Sequence, residues 1–427
     1  NLDPDNQDLY YLIGCDLAAQ DRETEAQRYF ERALELNPDD ARAHNDLALL
    51  IGSRDPEKAI SHFERALQIA PAFTLALNNW GNLLAELERY EEAEQKYRTA
   101  LELREEDEYA WYNLARLAER RGNLEEAERY YLSAMENSPE NSHIPNNLGL
   151  LYASLGRGDD AEQMYQKAIE IDAENPLPWN NLGQLSETKG DLETALEYYK
   201  SSLERKPAFL VALNNLVALL QRMQRGDQAQ TWFERALEGE PENGDVHNSY
   251  GYFLFNRERY DEARKQFQLA LEYVPEFPLA LNNLGNLELV LGNVARAEDC
   301  FNQALNIYDD DPHADFNLGR SALLRGDTPA AVQHFRAMAE KHPENESQLD
   351  TAVRILVDAG AVDEAILLYE KALEAAPESA TILFRLAELL VTQKKDGKKA
   401  LKHLEQIKAQ TPDFPGLKKL IADAAAL

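Results

Sequence analysis

The feature that most constrains this chain is a period of 34 residues. Alanine recurs on it at Ala93, Ala127, Ala161, Ala195, Ala229, Ala263, Ala297, Ala331 and Ala365. Ala26 and Ala59 continue the series N-terminally with one residue missing, and Ala400 continues it C-terminally with one inserted. A second series includes Ala33, Ala66, Ala100, Ala134, Ala168, Ala236, Ala270, Ala304 and Ala372. A third register is small: Gly14, Ala48, Gly81, Ala115, Gly149, Gly183, Gly251, Gly285, Gly319 and Ala387. Prolines close most units, at Pro38, Pro71, Pro139, Pro207, Pro241, Pro275, Pro343, Pro377 and Pro412. Four registers on one period specify a stack of small units, each burying its core against its neighbours.

Each unit reads as two helices. Over residues 176–209, Trp179, Leu182, Gly183 and Ser186 lie at i, i+3, i+4 and i+7, one helical face. Gly190 stops this helix, because glycine accepts the left-handed conformation after a helix end. Asp191 caps a second helix whose stripe is Ala195, Tyr198, Tyr199 and Leu203, and Pro207 ends it. Gly183 and Ala195 let the two backbones approach, and large neighbours such as Trp179 and Tyr199 fill the space on either side.

These spacings, Trp179-x2-Leu182-Gly183 with Ala195-x3-Tyr199 and Pro207, return as Leu148-Gly149-x2-Tyr152 with Ala161-x3-Tyr165 and Ala168. They return again as Leu284-Gly285 with Ala297-x3-Phe301 and Ala304. The pattern resembles the tetratricopeptide repeat over nearly the whole chain. Val217 and Val353 depart from it at the small position of the first helix, and Met338 at the later alanine. The resemblance implies an all-α fold, a right-handed superhelical α-solenoid whose first helices line a concave face. Twelve repeats are expected over 7–412, starting near 7, 41, 74, 108, 142, 176, 210, 244, 278, 312, 346 and 380. Residues 1–6 place Pro4 in the closing-proline register, so they are expected to be the tail of a truncated preceding repeat of a longer protein. Residues 413–427 carry Leu417, Leu420, Ile421 and Ala424 as the stripe of a C-terminal capping helix.

One register of the first helix holds Asn79, Asn113, Asn147, Asn181, Asn215, Asn283 and Asn317, with Asp46, Ser249 and Thr351 elsewhere. The residue before it is often asparagine too: Asn45, Asn78, Asn146, Asn180, Asn214, Asn248 and Asn282. Asparagine is a mediocre helix former, so its repeated use mid-helix needs a reason. One reading is a ladder of amides that hydrogen-bonds the backbone of an extended partner, as in repeat arrays of protein glycosyltransferases. The other is a bridge between neighbouring repeats. The first makes Asn78, Asn79, Asn113, Asn146, Asn147, Asn180, Asn181, Asn214, Asn215, Asn282, Asn283 and Asn317 the candidate partner-binding groove.

Arrays of this family that clamp acidic tails use a Lys/Arg cluster on the same face. Here the matching positions are Tyr11, Asn45, Asn78, Tyr112, Asn146 and Asn180, then Cys15, Leu49, Asn82, Arg116, Leu150 and Gln184 one turn on. A single arginine among them does not make a clamp. Leu75, Tyr109, His143, Leu177, Val211 and Leu279 add an apolar and aromatic first-turn row. Such a surface suits an extended protein segment that is neutral or basic.

The net charge of -32 argues against nucleic acid and anionic membrane surfaces as partners. Cys15 and Cys300 are too far apart in a linear array to pair, which leaves cytoplasm and periplasm open alike. No apolar run is long enough to span a bilayer. Between Lys394 and Lys419 eight lysines face Asp396, Glu405 and Asp413, and the reading preferred for them is a soluble cap over a docking patch. The Asn345-Glu346-Ser347 sequon carries little weight, and His44 and His247 fall in the tryptophan register of the first helix. No phosphate loop, zinc-binding or nucleophile motif is present, so no enzyme, cofactor or metal is expected. The chain is therefore expected to be a protein-interaction scaffold, with self-association allowed. Two alternatives stay open: the recognition array of a larger enzyme such as a protein glycosyltransferase, and a cell-envelope assembly or secretion factor.

Overall fold

A computed structural model describes residues 6–342 and 344–427. Pro343 and residues 1–5, and with them Pro4 and the tail expected there, lie outside the described residues. Among the described residues the chain forms 25 α-helices and no strand. It packs as two units that divide between Leu219 and Leu220, and each is an α-solenoid of helix-turn-helix repeats. First helices begin at Gln7, Ala41, Thr74, Glu108, His143, Pro176, Leu210, Gly244, Pro278, Pro312, Glu346 and Ala380.

Local chemistry sets these starts. Asp40, Asp107, Asn175, Asn243, Asp311, Asn345 and Ser379 cap first helices by accepting backbone N–H bonds. Pro176, Pro278 and Pro312 open three of them, where a missing N–H costs nothing. The turn into the second helix carries a left-handed residue. Gly122, Gly156, Gly190, Gly292, Gly326 and Gly360 supply it, and Glu88, Gln224 and Glu258 are forced into it at φ 58°, 59° and 60°. The residue inserted before Ala400 is taken up by a π-helical turn, Leu390–Lys394, at the end of the twelfth first helix.

The small register faces an aromatic ring of its own repeat. A Cβ on Gly149 would meet Tyr165 at 2.6 Å, on Gly183 Tyr199 at 2.5 Å and on Gly251 Phe267 at 2.7 Å. These rings are fully enclosed, and each stabilises its unit by about 1.5–3 kcal/mol through burial. The tryptophan register is a staple. Trp111 and Trp179 donate their indole N–H to Glu105 O at 2.9 Å and Ala173 O at 3.1 Å, six residues back. His44 and His247 repeat the contact with Nε2 against Pro38 O at 3.1 Å and Pro241 O at 2.9 Å. In repeat ten the register holds the buried Asp315, which fixes Lys341 at 3.1 Å so that its ammonium reaches Asp309 O.

In the second unit a buried carboxylate, Glu288, ties one repeat to the next. Its oxygens accept from Arg264 at 2.7 and 3.1 Å and from Asn293 Nδ2 at 2.7 Å. Burial pushes this carboxyl up, but Arg264 and Asn293 outweigh it and hold it below the ordinary glutamate range. The last helix, Leu417–Ala425, buries Leu417, Leu420 and Ala424 in the core cluster of the final repeats.

Candidate functional site

The paired asparagines form rungs between consecutive first helices. Asn181 Nδ2 donates to Asn146 Oδ1 at 2.9 Å, Asn215 to Asn180 at 2.9 Å, Asn79 to Asn45 at 3.0 Å and Asn283 to Asn248 at 2.9 Å. Other donor–acceptor pairs make the same rung. Asn147 donates to Tyr112 Oη at 2.6 Å, and Tyr11 Oη donates to Asp46 at 2.8 Å. Between the last two repeats the rung is an ion pair, Arg385 Nε to Asp350 Oδ2 at 3.3 Å. The geometry asks for a donor and an acceptor on consecutive first helices, with the donor in the later repeat except at Tyr11–Asp46, and asparagine supplies either.

This places the candidate residues individually. Asn78, Asn146, Asn180 and Asn282 are buried, as are Asn113, Asn181 and Asn317. Asn79, Asn147, Asn215 and Asn283 are half-buried, and Asn214 is exposed. Each of the half-buried four spends one amide hydrogen on its rung, which leaves a second hydrogen and the carbonyl oxygen, and in Asn147 that oxygen also accepts from Asn146 Nδ2 at 3.2 Å. No bond to the Oδ1 of Asn79, Asn215 or Asn283 is made among the described residues. Asn78 and Asn282 depart from the pattern: their Nδ2 atoms donate to the capping carboxylates Asp107 at 3.0 Å and Asp311 at 2.6 Å, and their buried Oδ1 atoms have no partner among the described residues.

Around the rungs the first-helix face is apolar. Leu75, Tyr109, Val211 and Leu279 are 46%, 53%, 51% and 52% exposed, where one turn of core helix would normally bury such residues. Leu49, Leu150 and Tyr252, two turns further along, are also exposed. His143 is exposed and Leu177 half-buried in the same row. In the second unit a shallow cavity of about 650 Å³ opens between the helices Glu346–Asp358 and Ala380–Leu389. Tyr369 Oη donates to Asp350 there at 2.7 Å, and Arg385 pairs with Asp350 and Glu388. Among the described residues no group of His, Cys, Asp and Glu is placed to hold a metal ion, and no helix is long and apolar enough to cross a membrane.

Sequence models described as tetratricopeptide repeat match residues 11–72, 78–142, 140–208, 215–280, 254–312, 282–346 and 356–424. The chain belongs to the tetratricopeptide repeat family. Tetratricopeptide repeat arrays are protein-interaction scaffolds, typically without catalysis, and this chain is built as one. A stretch of 91 residues, 21% of the chain, is 32% identical to the type IV pilus assembly protein PilF of Pseudomonas aeruginosa. The match spans 36% of that relative's length. Among solved structures the chain is similar to yeast Tom70, with 16% identity over 83% of this chain and 96% of that one and a TM-score of 0.47. It is also similar to Pseudomonas aeruginosa pilF, with 22% identity over 50% of this chain and 97% of that one and a TM-score of 0.41.

The repeat period led to the helices, but not to the partners of the asparagines. It also missed Arg320, Arg354 and Arg385, which stand on first helices of the last three repeats; the same register positions would have found them.

Proposed function

We propose that this tetratricopeptide repeat array binds an extended, neutral or basic protein segment on the first-helix face of its N-terminal unit. The observation that carries this is the exposed row Leu75, Tyr109 and Val211 beside the half-buried Asn79 and Asn215, whose carbonyl oxygens accept no bond among the described residues. Such a surface removes apolar side chains from water and offers acceptors to a partner's backbone N–H groups or to its lysines and arginines. The net charge of -32 favours the same partners over acidic ones. An immobilised array of unstructured peptides, probed with the full chain, tests this. Neutral and basic peptides rich in apolar residues are expected to bind. Changing Leu75, Tyr109 and Val211 together to Ser is expected to weaken them about tenfold or more at unchanged helical content. Equal binding by that variant, or a preference for peptides with several acidic residues over neutral and basic ones, overturns the reading.

One observation favours a second, narrower reading. The 32% identity to a type IV pilus assembly protein supports a role in assembling surface filaments, with the bound segment belonging to a filament or secretion component. Deleting the gene in its source organism and assaying filaments decides it, and intact filaments would remove it.

A further inference from the structure

Arg320 stands on the helix Pro312–Leu324, in the register of Leu49, Arg116 and Tyr252. Its Nη1 donates to Asn286 Oδ1 at 3.2 Å and to Asn317 Oδ1 at 3.0 Å. The guanidinium carbon lies 5.9 Å from the centre of the Phe316 ring. Among the described residues no carboxylate pairs with it, in a chain with 76 acidic residues. A half-buried cation without a counter-charge is costly, and burial lowers the pKa of this guanidinium.

The bonding pattern defines what is left open. Both hydrogens of Nη1 are engaged, so the Nε/Nη2 edge remains, which is the two-pronged edge that matches a carboxylate. Asn286 and Asn317 give their carbonyl oxygens to Arg320, so their spare groups are amino donors. Asn317 stands apart from the ladder here, since the Oδ1 of Asn282, its rung acceptor by register, is buried and unpaired. The departure occurs twice. In the N-terminal unit Asn78 Oδ1 is likewise unpaired, and Asn82, Asn113 and Arg116 occupy the positions of Asn286, Asn317 and Arg320 around a cavity of about 120 Å³.

We propose that Arg320, held by Asn286 and Asn317, is a receptor for one Asp or Glu side chain carried inside an extended partner segment. No acceptor is bonded to the Nε/Nη2 edge among the described residues, so a carboxylate from a partner is the complementary group. The site takes an internal residue because apolar contacts stand on both sides of its register. Leu279 lies in the first turn of its helix, and Val290 and Leu324 lie in last turns at 52% and 64% exposure. The inference rests on the proposed use of first-helix faces for docking, extends it to the first-helix face of the second unit, and gives the segment bound there one acidic residue.

Calorimetric titration of the full chain with three serine- and leucine-containing peptides tests it. Two are capped at both ends and differ only in a central Glu or Gln; the third carries the Gln and a free C-terminal carboxylate. The Glu peptide is expected to bind about tenfold tighter than its Gln counterpart, the range of a charge-assisted hydrogen-bonded pair. R320Q is expected to erase that preference, R320K to keep only part of it, since lysine has charge without the fork, and R336Q on the neighbouring second helix to retain it. Should R320Q lose helical signal, R320K decides. Equal binding of the Glu and Gln peptides, or a preference that survives R320Q, overturns this inference alone. Preference for the terminal carboxylate overturns it in favour of an end-binding site. Binding of none of the three overturns it together with the docking-face reading.

Discussion

At the scale of single residues, the asparagines show how one side-chain type serves a repeat in two ways. A rung joins acceptor to donor across consecutive repeats, as Asn146 with Asn181 at 2.9 Å, and Tyr11–Asp46 and Asp350–Arg385 make it with other chemistry. Interchangeable pairs at one place mark the link itself as what the fold requires. Asn181→Ala is expected to cost about 1–3 kcal/mol, because it also orphans the buried Asn146 carbonyl. In a double-mutant cycle with Asn146→Ala the two changes are expected to couple by about 0.5–1.5 kcal/mol in urea unfolding; strict additivity would show that no rung exists in solution. The presence of asparagine at these positions was legible, whereas its partners were not. A contact between residues 35 apart depends on how far each repeat turns on the last and on which rotamer each amide takes, and neither has a local signature.

At the scale of the helix pair, most of what was expected follows from short-range rules. Asp191 caps its helix through Thr194 N, and Gly190 takes φ 82° before it. Where the turn lacks glycine the fold imposes a strained residue, and that has a consequence. Glu258→Gly is expected to raise stability by a few tenths to about 1 kcal/mol, the left-handed penalty less the added chain entropy; a lower thermal midpoint would contradict it. Glu288 gives the pH dependence of a repeat junction. Its pKa is lowered in the folded chain, so its contribution is complete above the ordinary glutamate value, about 4.3, and is lost as pH falls through the lowered folded value. Glu288→Gln is therefore expected to destabilise the second unit at neutral pH and to flatten the acid limb of its unfolding curve. An acid limb as steep as in the native chain would assign that limb to other carboxylates. No pattern around Glu288 announced a buried acid, since its register holds Leu84, Ala118, Tyr152 and Leu254 in other repeats. The approach of Arg264 from the previous helix, with Asn293 in the following turn, makes the charge tolerable.

At the scale of the whole molecule, charge and repetition govern behaviour together. A net charge of -32 repels itself, and most ion pairs are exposed and worth little. Raising salt from about 10 mM to about 150 mM shortens the screening length from about 30 Å to about 8 Å, so the thermal midpoint is expected to rise. A fall would mean that exposed pairs outweigh the repulsion. The amino-acid sequence alone determined the period, the helix pairs, the caps and the small-against-aromatic core, because each of these is closed within one repeat, between residues no more than about a turn or a hairpin apart. Tertiary structure alone decided which amides are engaged, which carbonyls are left over, and that Arg320 meets no carboxylate among the described residues. Those depend on side chains of successive repeats meeting, and the energy of such a meeting belongs to the stacked array rather than to any one segment of it.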